Sequence, residues 1–332
     1  MRVNARKSKY FLGREGKIAV IAVLAVAIVI LITSLLAFGE PPAASTAPAA
    51  TAAPAKAAEA PPKAEFVGSE ACAACHADQQ AKIANTPMGK IMLKTPRTAE
   101  EKLGCEGCHG PSSRHLEDPT DKKAHLTFGP KSATSAKEQN QACIKCHDKG
   151  AHLWWKGSTH DSRGLTCVKC HKVHTGGDTA ELTAPSEQEL CFQCHPMRKA
   201  QGLKSSHMPL REGKMNCDDC HNPHGSTGPA MLTSNSINEN CYRCHAEKRG
   251  PVLWEHPPVR ENCDNCHEPH GSIRANLLKV KSERLCQRCH SGGRHPSTPH
   301  GAKTRYVFNH GCLNCHTAVH GSNNPSGAYF TR

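Results

Sequence analysis

Between residues 263 and 270 the chain reads CDNCHEPH: two thiols three positions apart, an imidazole beside the second, and another imidazole three residues on. Zinc, a disulfide or a dithiol redox couple would each use part of that set. The rest of the chain decides among them. It has 20 Cys in 332 residues, and every one belongs to a C-x-x-C-H pentapeptide. The ten motifs are Cys72, Cys75 and His76; Cys105, Cys108 and His109; Cys143, Cys146 and His147; Cys167, Cys170 and His171; and Cys191, Cys194 and His195. They continue with Cys217, Cys220 and His221; Cys241, Cys244 and His245; Cys263, Cys266 and His267; Cys286, Cys289 and His290; and Cys312, Cys315 and His316.

A porphyrin with vinyl groups on adjacent pyrroles takes one thioether from each of two cysteines separated by two residues. The next residue is then held under the iron, where imidazole is a suitable ligand. A zinc ribbon does not require His after every second Cys. A disulfide framework places no demand on the residue after each thiol, and a thioredoxin-type pair occurs once near a βαβ pattern. Ten covalently bound haem c groups are therefore expected, with the ten motif histidines as proximal iron ligands.

Composition agrees. Aromatic residues are 4% of the chain and mean hydropathy is −0.55, too polar for an ordinary core of this size. Ten flat apolar macrocycles would supply the interior. The formal charge of +13 overstates the basicity of the folded part, because residues 1–38 hold six Lys/Arg and one Glu. Counting propionates and ferric iron brings the loaded protein to about −2 oxidised and about −12 reduced. No nucleic acid partner is expected.

The positioning elements can be inferred from the spacing. Motif starts are separated by 22 to 38 residues, room for a short helix beside each haem and a loop rich in Gly, Pro, Asn and Ser. The expected fold is mostly coil with short α-helices and little or no β structure. It is an elongated multihaem cytochrome c, a quasi-linear array of two-haem repeats. Each unit runs C-x-x-C-H, a lone His, then C-x-x-C-H-x-x-H. The lone residues are His160, His207 and His256; the closing ones are His174, His224, His270 and, at one residue more, His320. A closing His lies only three residues beyond its proximal His. It cannot reach round a macrocycle about 10 Å wide to the same iron, so it must address another haem.

The 23 His leave 13 beyond the proximal ten, enough for bis-imidazole ligation. The distal candidates are Met88, His115, His160, His174, His207, His224, His256, His270, His295 and His320. His125, His152, His300 and His310 are the surplus. Met88 stands in the first unit's lone-His slot, NTPMGK, and a thioether can ligate haem iron and raise its potential; a surplus His such as His125 is the alternative for that haem.

Ahead of the motifs, Ile18–Phe38 is a run of 21 uncharged, mostly apolar residues. Its length fits a membrane anchor, and Ala37-Phe38-Gly39 before Glu40 fits cleavage as a signal peptide. Residues 1–39 are expected to be one or the other. Residues 40–65 form an Ala/Pro-rich disordered linker, and residues 66–332 the decahaem domain. Both N-terminal readings place the domain in the periplasm.

The strings FVGSEACAACH, GCEGCHGP, WEHPPVRENCDNCHEPHGS and VHGSNNPSG resemble the MtrA/PioA/DmsE family of periplasmic decahaem cytochromes over roughly residues 66–332. The resemblance implies a staggered haem chain inserted in an outer-membrane β-barrel porin, passing electrons between periplasm and cell exterior. It also implies a possible outer-surface multihaem cytochrome or reductase as outer partner, and a periplasmic or inner-membrane electron donor or acceptor. Family members usually hold a His in the slot filled here by Met88. A periplasmic shuttle serving a terminal reductase without a porin is the alternative. A multihaem reductase is a third class, disfavoured because no C-x-x-C-K motif marks an open iron, so no dedicated catalysis is expected. The direction of flow, outward to metal or inward from Fe(II), is not encoded in these motifs.

Overall fold

The computed structural model describes residues 63–175, 181–290 and 311–331. They belong to a compact unit spanning Pro62–Arg332. The segment 1–39, the linker up to residue 62, and His295, His300 and His310 lie outside the described residues. Among the described residues no helix is long and apolar enough to cross a membrane.

The chain is mostly loop and short helix. Among the described residues the only extended pairing is a set of isolated bridges: His171 with Leu182, His221 with Leu232, His267 with Leu278, Ser206 with Ser272, and Trp254 with Ser322. The two motifs of a unit are built differently. The first motif of each unit is entered by a helix: Ser69–Ile83, Ala136–Ile144, Glu187–Phe192, Ile237–Tyr242 and Ser282–Gln287. Three of these start on a serine whose hydroxyl accepts from the backbone three residues on: Ser135 from Glu138, Ser186 from Glu189, and Ser236 from Glu239. A short cap of this kind holds a helix too short to persist alone. The helix breaks at the motif histidine, where His76, His195 and His245 share φ of −115 to −106° and ψ of 36 to 56°. The second motif of a unit is a single turn, as at Cys167–Cys170, Cys217–Asp219 and Cys263–Asn265.

Among the described residues four buried apolar ones, Ala124, Ala142, Trp155 and Leu232, stand against nine buried polar ones. That part of the chain has no apolar centre of its own, so its order must come from polar clasps and from whatever the motifs bind.

One clasp repeats at a residue three positions before the first Cys of a unit. Ser69 Oγ accepts from the Cys105 amide at 3.1 Å. Asn140 Oδ1 accepts from the Cys167 amide at 2.9 Å, and Asn238 Oδ1 from the Cys263 amide at 2.7 Å. The corresponding Gln188 donates to Asn216 Oδ1 at 2.7 Å, one residue before Cys217. Asn238 also donates to the Val259 and Arg260 carbonyls, both at 2.9 Å. These bonds fix one motif of a unit against the other. Asn238→Ala removes all three and leaves a buried amide of Cys263 without its partner. A destabilisation of about 2–3 kcal/mol is expected, read as a lower midpoint in chemical denaturation.

A second clasp joins consecutive units. The glycine after three of the closing histidines, His224, His270 and His320, packs against backbone or side chain of the unit before. A Cβ on Gly225 would lie 2.2 Å from Trp154 O, on Gly271 2.0 Å from Gln201 O, and on Gly321 2.7 Å from Val252 Cγ2, all at φ between 109 and 131°. Paired amides lock the same seams: Ser206 and Ser272 exchange bonds of 2.9 and 2.7 Å, and Trp254 and Ser322 bonds of 2.9 and 3.0 Å. This is why the repeat ends in His-Gly-Ser. Gly271→Ala meets both a strained φ and a backbone clash, and is expected to cost about 3 kcal/mol. Gly129→Ala, at φ +100 with nothing within 4 Å, is the control that carries the strain alone; comparing the two denaturation midpoints isolates the seam.

Candidate functional site

None of the 20 cysteines is in a disulfide. Their side chains neighbour one another in a regular order. Within each unit the first thiol of one motif lies by the first thiol of the other: Cys72 by Cys105, Cys143 by Cys167, Cys191 by Cys217, Cys241 by Cys263, and Cys286 by Cys312. Between units the second thiols neighbour instead: Cys108 and Cys146, Cys170 and Cys194, Cys220 and Cys244, Cys266 and Cys289. Neighbouring thiols therefore link all ten motifs in chain order, first thiols within a unit and second thiols with the next unit. Burial and the adjacent Cys263 push the Cys241 thiol up to about 12. Glu187, Cys191 and Cys217 also place three donor atoms within 4.8 Å of one another, but both thiols already belong to attachment motifs.

The histidines meet in pairs. His76 faces His115 with ring centroids 6.2 Å apart and planes 18° apart. His109 faces His174 at 6.1 Å and 7°, and His171 faces His224 at 6.0 Å and 17°. His221 faces His270 at 6.0 Å and 17°, and His267 faces His320 at 6.1 Å and 19°. His256 faces His290 at 6.2 Å and 22°; His160 and His195 lie 6.3 Å apart, tilted by 49°.

Two imidazole nitrogens each about 2 Å from a shared metal, with each ring centroid about 1.1 Å behind its nitrogen, give centroids about 6 Å apart. All seven separations fit. In five of the paired rings the remaining nitrogen is held by a backbone carbonyl, which orients the pair. His109 Nδ1 lies 2.8 Å from Leu126 O, His221 Nδ1 3.0 Å from Ala230 O, and His267 Nδ1 2.7 Å from Asn276 O. On the other side of the pairs, His160 Nδ1 lies 2.8 Å from Pro223 O and His256 Nδ1 3.0 Å from Val319 O. Such bonds select the tautomer that leaves Nε2 for a metal. Ala230 and Asn276 present their carbonyls from the left-handed region, at φ 52 and 55°, strain retained where a ligand is aimed. Burial lowers the pKa of His109, His174, His224, His256, His270 and His320 below the ordinary imidazole range, in the case of His224 to about 4. These rings are neutral near pH 7 and keep a lone pair for iron.

The pairing has a rule. Each closing His meets the proximal His of the second motif one unit earlier, so His174, His224, His270 and His320 address His109, His171, His221 and His267. A lone His works forward: His160 and His256 meet the first proximal His of the next unit, His195 and His290. For the first haem the sequence leaves Met88 or a surplus His as the distal ligand. His76 meets His115, while Met88 is half-buried in the turn Pro87–Gly89. In the first unit, which has none before it, His115 lies in the short helix Ser113–Glu117 after the unit's own second motif.

Three proximal residues have neighbours of another kind among the described residues. His147 has His152 beside it at 5.6 Å and 67°, and His245 lies 3.6 Å from Glu247. His207 turns Nδ1 to Lys204 O at 2.7 Å and Nε2 to Glu212 at 3.2 Å rather than toward His245. His316 Nδ1 lies against Tyr329 O. His125 sits 4.2 Å from His115 and 5.7 Å from His109. The clasp residues Ser69, Asn140, Gln188 and Asn238 are not evident as site residues from the motifs; their constant offset of three before a first Cys is the signal that marks them.

Three family models match parts of the chain. A doubled CXXCH motif matches residues 207–250 and 256–295, a cytochrome c-type protein NrfB-like model residues 105–185, and a cytochrome c554 and c-prime model residues 42–110. A multiheme cytochrome MtrA from Shewanella baltica (strain OS185) is 38% identical over 275 residues, covering 80% of this chain and 81% of that protein.

Proposed function

The chain belongs to the MtrA-type multihaem c-type cytochromes, electron-transfer proteins with covalently bound haem c, and from that premise we propose that it holds ten haems in series and conducts electrons through the outer membrane inside a β-barrel porin. Haem iron supplies one-electron Fe(III)/Fe(II) exchange. The chain's own residues place the irons. The twenty cysteines form the thioethers, the ten motif histidines the proximal ligands, and His115, His160, His174, His224, His256, His270 and His320 the distal ligands of seven haems. The first haem is thus bis-imidazole, with Met88 a packing residue.

The observation that carries this reading is the linking of all ten motifs in chain order by neighbouring thiols. Porphyrins attached at adjoining thiols are neighbours, so electrons can hop along the whole series. Ten haems, each about 1 nm across, extend beyond the roughly 30 Å hydrocarbon core of a bilayer. The polar coat of clasps suits a barrel lumen. The inner partner is a periplasmic or inner-membrane redox protein, and the outer one a multihaem cytochrome or reductase at the cell surface.

The test is gentle solubilisation of the outer membrane, haem staining of a native gel and identification of the proteins that co-migrate. Stable stoichiometry with a β-barrel protein is expected. A haem band confined to the soluble periplasm or inner membrane overturns the conduit and leaves a shuttle, held by Ile18–Phe38 if that run is uncleaved.

A further inference from the structure

Two of the imidazole pairs form an internal comparison. His171–His224 and His221–His270 have the same centroid separation, 6.0 Å, and the same interplanar angle, 17°. In each, the distal His closes a C-x-x-C-H-x-x-H unit, and the residue before the x-x-H proline donates its amide to a left-handed loop: Asn222 to Met231 O at 2.8 Å, Glu268 to Leu277 O at 2.7 Å. The difference is the side chain at that residue. Asn222 Oδ1 takes the His224 backbone amide at 3.1 Å, while His224 Nδ1 is buried with no hydrogen-bond partner. Glu268 Oε1 stands 3.3 Å from His270 Nδ1 and 3.4 Å from its amide. The carbonyls of Leu126, Ala230, Asn276, Pro223 and Val319 serve the Nδ1 atoms of His109, His221, His267, His160 and His256. His270 instead has a carboxylate.

We propose that Glu268 is a tuning residue that holds the haem ligated by His221 and His270 at a lower reduction potential than the haem ligated by His171 and His224. The proposal rests on the ligand assignment made above. A carboxylate accepting from Nδ1–H increases the basicity of a metal-bound imidazole, which favours ferric over ferrous iron. Its negative charge, half-buried beside the site, acts in the same sense. Arg198 is the other charged group acting on His270 and opposes this. It is exposed and its guanidinium is engaged by Gln201 at 2.6 Å, so solvent screens it more. Around His224 the neighbours are His152, His160 and His171, burial keeps the ring neutral, and nothing enriches it.

The experiment is a spectropotentiometric titration of the haem-loaded protein and two single variants. Glu268→Gln keeps shape and removes charge. One tenth of the titrating absorbance is expected to move to higher potential by at least tenfold in the reduction equilibrium, 59 mV for one electron. Asn222→Glu transplants the carboxylate and is expected to move one tenth the other way. Superimposable curves for wild type and Glu268→Gln overturn the proposal. The ligation beneath it is read separately in His270→Met, where a thioether-to-iron charge-transfer band in the far red is expected. Its absence overturns the ligand assignment, whereas its presence with an unmoved Glu268→Gln curve overturns the tuning alone.

Discussion

Glu106→Ala is expected to unravel the first unit while the later ones stay folded. Glu106 lies inside the second C-x-x-C-H motif and is 2% exposed. Its carboxylate accepts from three backbone amides that no helix or sheet serves: Val67 at 3.0 Å to both oxygens, Gly68 at 2.8 Å and Ser112 at 3.0 Å. One side of this cage is the extended entry to the helix Ser69–Ile83, the other the start of the short helix Ser113–Glu117 that carries His115. Removing the carboxylate leaves the part-buried Val67 and Gly68 amides without an acceptor, the Ser112 amide keeping only Glu65 O at 3.1 Å, and deletes charge-assisted bonds, together about 2–3 kcal/mol. In an array whose units contact only their neighbours the loss stays local. The measurement is amide hydrogen exchange: protection should fall over residues 65–115 and persist beyond about residue 185. Because Gly68 leads directly into Ser69, whose hydroxyl holds the Cys105 amide, the spacing of the first two motifs should loosen as well. Glu106→Gln, which keeps an acceptor but turns an amide donor toward other donors, should fall between wild type and alanine.

What the motifs disclose and what they hide divides along physical lines. Attachment chemistry demands fixed residue types at fixed spacing, so Cys72 to His316 are legible one by one. The argument that His270 is too near His267 to share its iron needs only the width of a macrocycle, and the structure sets His270 against His221. Which partner a lone His meets is hidden, because that depends on how one unit is laid on the next. The expectation for Met88 treats its slot as local to its own unit, whereas His160 and His256, in the same slot, face histidines of the following one. The clasps are hidden for another reason. A hydrogen-bond acceptor three residues before a thiol can be serine or asparagine, so Ser69 and Asn140 perform one task without sharing a residue type. The glycines of His-Gly-Ser repeat visibly, but the cause, close approach of Gly225 and Gly271 to the carbonyls of Trp154 and Gln201, is tertiary.

Synthesis without haem attachment should give a chain with almost no stable structure, the largest effect expected for this protein. Fixing each residue's backbone costs about 1–2 kcal/mol, and burial of apolar surface is the main term that offsets it. Among the described residues four apolar residues are buried against nine polar ones, and the longest helix there, Ser69–Ile83, breaks at His76. Helices of four to nine residues, which carry most of the other helical motifs, do not persist alone. The clasps do not rescue it, since a typical internal hydrogen bond is worth only about 1 kcal/mol net. Buried, facing imidazoles without a metal add a further cost. His115, His125 and His224 each keep a buried Nδ1 without a partner, a penalty tolerable only where ligation to iron orients the ring. Folding and loading are then one equilibrium, as in small metal-stabilised domains. Far-UV circular dichroism and exchange of the unloaded chain should show a disordered polypeptide, with protection appearing only as haems are attached. Native-like protection in the unloaded chain would mean that the clasps alone hold the fold. The haems would then be cargo on a scaffold, not its interior.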